Sequence, residues 1–141
     1  MAYDRKRPIF ITERNMERLQ DLVDILGPAS ENDLENFERL EEELYRANIV
    51  EPENIPLEVV TINSKVQLRE MDSDLEIIII LVFPSDANLS EHKISILAPI
   101  GSAVIGRQTG DIIEWKAPRG IKRAKIEKML YQPEAAEKSK L

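Results

Sequence analysis

The sequence predicts an α+β protein: a short N-terminal antiparallel helical hairpin, packed as a coiled coil, followed by a β-rich domain. Three observations predict it. Between Glu13 and Asn54 the apolar residues recur at steps of three and four, with Gly27 the only glycine; that is the period of helices buried along one stripe. From Ile55 onward, β-branched runs punctuated by Pro and Gly take over, the pattern of strands joined by turns. The charge divides at the same place. Thirteen carboxylates oppose four arginines across Glu13–Asn54, whereas seven bases oppose three acids across Arg107–Lys128.

Met16, Leu19, Leu22, Val23 and Leu26 form the stripe of the first helix. Thr12 is placed to cap its start, and Gly27-Pro28 to end it, because glycine takes the left-handed C-cap and proline cannot continue the ladder. The second stripe is Leu34, Phe37, Leu40, Leu44 and Ala47, with Ser30 and Asp33, or Asn32 itself, available as caps. Arms of about 14 to 17 residues span only ~21 to 26 Å. Within the second arm, Glu41-Glu42-Glu43 reads as a solvated face with Leu40 and Leu44 turned inward.

The hairpin domain is expected over residues 1–54 and the β-rich domain over 55–133. A small, charged tail over 134–141 is expected to be disordered. Val59 to Ile62 is β-branched, and Val66 and Leu68 alternate with polar neighbours. Ile77 to Ile80 has no polar alternation, which predicts a central strand covered on both faces. Lys93 to Ile96 predicts a short strand and Pro99 to Ile105 one or two helical turns. Asp111 to Lys116 and Ile121 to Tyr131 predict two strands around a Pro118-Arg119-Gly120 turn.

Composition excludes several functions. A length of 141 residues suits one domain, or one with an appendage. A net charge of −7 argues against free nucleic acid as the main ligand. With no cysteine there is no disulfide, thiolate nucleophile or cysteine metal site. His92 is the single histidine and stands in a polar loop, which offers neither a catalytic triad nor a metal set. No glycine-rich phosphate cradle exists, and no cofactor is implied. Trp115 reads as a packing residue on a strand. The longest apolar run, Ile77 to Phe83, is far below the ~20 residues of a membrane helix. The first twelve residues lack an apolar signal stretch, so a soluble, cytoplasmic protein is expected.

The run from Lys93 to Asp111 resembles the signature of the bacterial transcript-cleavage factors of the Gre class (GreA and GreB). Its anchors are Ile94, Ser95, Pro99, Ala103, Ile105, Gly106, Gly110 and Asp111. Val60 to Val66, and Tyr131 to Ala136, are similar more narrowly to the short-pronged Rnk-like branch of that family, regulators of nucleoside diphosphate kinase. The resemblance implies an FK506-binding-protein-like (FKBP-like) half-barrel after the hairpin. It also implies a partner: RNA polymerase, with the C-terminal domain at the rim of the secondary channel and the hairpin pointing inward. By position, the rim-binding loop is Leu97, Ala98, Pro99 and Ile100. Gre factors carry a small polar or acidic residue and then a serine where Leu97 and Ala98 stand, so this surface is more apolar.

In Gre factors two acidic residues at the prong tip help to hold a magnesium ion in the polymerase. Here the tip carries Glu31, Asp33 and Glu35. Carboxylates suit magnesium, but they are also expected in a first helical turn from the macrodipole alone. A Gre prong is roughly twice as long as a ~21 to 26 Å arm, so the tip stops short of the active site. The cluster Lys122, Arg123 and Lys125 reads as an exposed basic strand face, with an acidic protein surface as the alternative. The reading that follows is a non-enzymatic, monomeric regulator that competes with Gre-type factors for polymerase. Its rivals are a cleavage-stimulating factor using the tip acids and, on the implied fold alone, a prolyl isomerase. The scarcity of aromatic residues in the β-rich domain opposes the latter.

Overall fold

A computed structural model of the chain describes residues 9–26 and 31–139. Strand β1 (Phe10–Thr12) runs directly into helix α1 (Glu13–Leu26). The Thr12 hydroxyl accepts a hydrogen bond from the Asn15 amide at 3.2 Å, the expected N-cap, which satisfies one of the amides a helix start leaves unpaired. Helix α2 (Glu31–Arg46) brings the chain back. There β2 (Asn48–Val50) pairs in parallel with β1, Ile11 opposite Ile49. Gly27-Pro28 and Ser30 lie outside the described residues.

Met16 and Leu19 on α1, and Leu40 and Leu44 on α2, are buried as the two stripes require, with Leu22 and Ala47 packed against them. The Glu41-Glu42-Glu43 expectation holds for its first two members only. Glu41 and Glu42 are exposed, but Glu43 is buried. Helical periodicity places residue 43 three positions from Leu40, on the edge of the buried stripe.

The β-rich part departs from expectation at its start. Val59 to Ile62 form no strand: Val59 makes an isolated bridge to Gln108, and the Val60 amide donates to the Arg107 carbonyl. The chain then turns. The Ser64 hydroxyl accepts from the Thr61 amide at 2.9 Å, and Asn63 takes a left-handed φ of 72°. Next come β3 (Lys65–Glu70), β4 (Glu76–Val82), β5 (Lys93–Ser95), α3 (Pro99–Val104), β6 (Ile112–Ala117), β7 (Gly120–Tyr131) and α4 (Pro133–Ser139). The five-stranded sheet has the order β5-β4-β3-β7-β6. Its neighbours are antiparallel except the parallel pair β4–β5. Register shifts at Lys65/Val66 and Gln67/Leu68 against β7 bend the strands, and the sheet curls into a half-barrel.

Val66, Leu68, Ile79, Leu81, Ile113, Ala124 and Ile126 line one face of the sheet and share a single core with Ala103 and Val104 of α3 and the hairpin stripes. Each of the Val, Leu and Ile side chains among them contributes about 1.5–3 kcal/mol on burial. Ile78 and Ile80 lie on the opposite face, beside Gln67 and Lys65, and stay only half-buried. Strand β4 is thus interior to the sheet but covered on one face, because no described helix packs over the other. Trp115 is half-buried against the core, as expected. The expected disordered tail is instead helical through Ser139. Its start is tied down where the Thr61 hydroxyl donates to Glu134 Oε1 at 2.6 Å and Gln132 Nε2 donates to the carbonyls of Pro56 and Val59.

Candidate functional site

The loop Leu97 to Ile100 leaves the sheet where β5 ends and α3 begins. Two bonds shape it. The Ser95 hydroxyl accepts from the Leu97 amide at 3.0 Å, and the Ser95 carbonyl accepts from the Ala98 amide at 3.0 Å. Pro99 occupies the first turn of α3, where its missing N–H costs nothing and its fixed φ suits a helix. Helix α3 lies so close to β5 that a Cβ on Gly101 would collide with the backbone of Ser95 and Ile96. The loop is therefore held from both ends. Pro99 is exposed, Leu97, Ala98 and Ile100 half-buried, and Leu97 and Ile100 also pack against the core. The four residues present a small, largely uncharged apolar rim.

Behind that rim the Gly106 to Asp111 turn closes the signature. Gly106 has a φ of 73°, and a Cβ there would overlap the side chain of Ile9. The Asp111 carboxylate accepts from the Gln108 amide at 3.0 Å. Gly106 and Asp111 thus shape the turn behind the loop.

The hairpin is fixed to this scaffold by two contacts invisible in the sequence. Arg107 Nη2 donates to Glu43 Oε1 at 2.9 Å, with side-chain exposures of 5% and 10%. The Arg18 guanidinium sits 4.0 Å from the centre of the Phe83 ring, a cation–π arrangement. Nothing in the sequence around Arg18 or Arg107 distinguishes either from the other charged residues. Glu31, Asp33 and Glu35 fall on the first turns of α2, and their side chains lie outside the described ones. Among the described residues, no group of three or more acidic or histidine side chains is placed to hold a metal ion.

The basic cluster is split by the alternation of β7. Arg123 and Lys125 are exposed on the outer face, whereas Lys122 has the parity of buried Ala124 and Ile126. Lys122 Nζ pairs with Glu70 at 3.2 Å, and Arg123 Nε with Glu114 at 2.8 Å. On the same outer face Arg69 Nε donates to Glu127 at 3.1 Å and Gln67 Nε2 donates to its other oxygen at 3.0 Å. These bonds hold the Glu127 carboxyl below the usual carboxylate range and raise Arg69. His92 caps a short turn with a left-handed φ of 63° and is exposed.

The family model described as "Transcription elongation factor, GreA/GreB, C-term" matches residues 55–131, and one described as "Rnk N-terminus" matches residues 7–50. A regulator of nucleoside diphosphate kinase from Escherichia coli K12 is 35% identical over 129 residues, 91% of this chain and 93% of its own. The chain belongs to the GreA/GreB transcription-factor family, in its Rnk branch. The GreA/GreB-type structure titled as a prokaryotic transcription elongation factor from Nitrosomonas europaea superposes with a TM-score of 0.75. It is 42% identical and covers 89% of this chain and all of that one. A GreA from Acetivibrio thermocellus is 39% identical over 88 residues, 62% of this chain but only 55% of its own length. The Rnk-branch match thus runs across both hairpin and sheet, whereas the GreA match takes in little more than half of GreA. Among the described residues, no helix is long and apolar enough to cross a membrane.

Proposed function

We propose that this chain is a non-catalytic transcription regulator that binds RNA polymerase at the rim of the secondary channel, through Leu97, Ala98, Pro99 and Ile100. It competes there with Gre-type factors as a monomer in the cytoplasm. The half-barrel, on this reading FKBP-like in form, is the docking module, and the coiled-coil hairpin occupies the channel mouth. The observation that carries the reading is hairpin length. Helices of 14 and 16 residues reach only ~21 and ~24 Å. Carboxylates at the end of such arms stop short of a catalytic metal that a prong roughly twice as long would reach. Binding energy spent on occupancy has no transition state to stabilise. The acidic hairpin and the basic outer strand also favour one orientation on a large charged partner.

The test is competition. Labelled GreA is held on core RNA polymerase, this chain is titrated in, and transcript cleavage is followed in parallel. Displacement of GreA with loss of cleavage is expected. Failure to displace at micromolar concentration removes the shared site, and cleavage by this chain alone removes the non-catalytic reading.

A further inference from the structure

The hairpin and the Leu97–Ile100 loop meet the rest of the chain at one seam, and that seam sets the angle between them. Most of it is aliphatic. Met16 and Leu19 of α1 and Leu40 and Leu44 of α2 share a core with Ala103 and Val104 of α3, the helix that starts from the loop itself. Aliphatic contacts carry no required direction, so on their own they specify the angle loosely.

Two contacts at the seam do have direction, one on each arm. On α2, Glu43 Oε1 accepts from Arg107 Nη2 at 2.9 Å. The Arg107 backbone is itself fixed: its N–H donates to the Val104 carbonyl at 3.1 Å, and its carbonyl accepts from the Val60 amide at 2.7 Å. On α1, the Arg18 guanidinium lies 4.0 Å from the centre of the Phe83 ring, and Phe83 follows directly on β4. As a source of stability the buried pair is poor. Glu43 Oε2 is buried with no hydrogen-bond partner among the described residues, and desolvation of both charges offsets their attraction. As a source of uniqueness it is effective. A charge-assisted hydrogen bond has a narrow geometry, and any tilt that parts the two groups leaves a buried charge uncompensated.

We infer that Glu43 and Arg107 are positioning residues, with Arg18 as a second hold: they fix the hairpin at one angle to the Leu97–Ile100 loop, and the partner is engaged only when both stand at that angle. The loop, α3 and Arg107 follow one another without a break in the chain, so what holds Glu43 to Arg107 also holds the hairpin to the loop. Where the competent angle is populated for only a fraction of the time, apparent affinity falls by that fraction. The second half of the inference, engagement of the partner, rests on the polymerase-binding reading; the first half does not.

The chain has no cysteine, so spin labels at Glu38→Cys on α2 and Lys128→Cys on β7, both exposed positions, report the hairpin angle in the whole chain by double electron–electron resonance. A single narrow distance distribution is expected. Glu43→Leu combined with Arg107→Met keeps the seam apolar and filled. This double variant is expected to unfold in urea near the parent midpoint, yet to broaden the distribution. Its displacement of GreA from core RNA polymerase is expected to weaken about tenfold, the loss when the competent angle is populated a tenth of the time. Arg18→Gln, at an exposed position, broadens the distribution to a smaller extent, and it decides the matter if the double variant does not fold. Pro99→Glu weakens displacement with the distribution unchanged. The inference is overturned if both seam variants keep the parent's narrow distribution, or if a broadened distribution leaves displacement at the parental level. A parent that does not displace GreA removes the polymerase reading and with it the second half of the inference, whereas the distance distributions still decide the first.

Discussion

Glu43 on helix α2 and Arg107, 64 residues further along the chain, meet at 2.9 Å with both side chains almost wholly withdrawn from water. This pair joins the acidic hairpin to the signature turn of the half-barrel. A buried ion pair adds little net stability, since desolvation offsets most of its Coulomb gain. Breaking it is another matter. Glu43→Ala or Arg107→Ala each leaves an uncompensated buried charge, and each is expected to lower unfolding stability by about 3–5 kcal/mol. Replacing both with Leu and Met is expected to recover most of that loss. Urea denaturation of the four proteins measures it, and additive single losses in the double variant would refute the coupling.

The same pair marks where sequence reading stops. The hairpin was legible because Met16, Leu19, Leu40 and Leu44 repeat locally, and Thr12 caps within three residues. The strand before the loop from Leu97 to Ile100 and the helical turns after it were legible from local pattern, but the loop became a candidate contact only through the family resemblance. Glu43 was not legible, because within a run of three glutamates nothing local distinguishes the one that meets a cation from a distant segment. Pairing of Phe10–Thr12 with Asn48–Val50 is likewise non-local, and three-residue strands carry too little alternation to be read. Ile77–Ile80 is aliphatic on both faces, yet only one face is covered. Hydrophobicity there reported composition, and coverage depended on which elements the rest of the chain supplied.

Gly106 and Gly110 both have positive φ, of 73° and 94°, but their surroundings differ. A Cβ at 106 overlaps Ile9, whereas one at 110 meets nothing within 4 Å. Gly110→Ala is expected to cost only the left-handed backbone strain, about 1–2 kcal/mol. Gly106→Ala adds overpacking of a buried side chain, for a total of about 2–5 kcal/mol. Thermal unfolding of both variants should rank them in that order, and equal midpoints would contradict the contact with Ile9.

Acid should weaken the outer face of the sheet. The Arg69 guanidinium, first, and the Gln67 amide hold Glu127 below the usual carboxylate range in the folded chain. A carboxyl depressed on folding contributes stability that is present above its unfolded pKa, about 4.3, and is lost as pH falls through the lower folded value. Glu127→Gln is therefore expected to lower the melting temperature slightly near neutrality, a small effect because solvent screens the pair, and to converge with the parent below about pH 4.3, so that its acid limb is flatter. An unchanged acid limb in the variant would mean that other carboxylates set it.

Pro99→Glu tests the proposed polymerase contact with the least disturbance to the fold. The side chain is exposed and starts helix α3, where a carboxylate is neutral or mildly favourable to the helix. Melting temperature should stay within a few degrees of the parent, since surface substitutions usually change stability by no more than about 0.5 kcal/mol. Displacement of GreA from polymerase should weaken by about tenfold or more, the effect of a charge on an apolar contact at its centre. Neutralising Glu31, Asp33 and Glu35 to their amides should leave displacement close to the parent, because on the short-hairpin reading the rim loop, and not the tip, supplies the binding energy. If the tip variant loses displacement while Pro99→Glu keeps it, the contact lies in the channel and the loop is only scaffold.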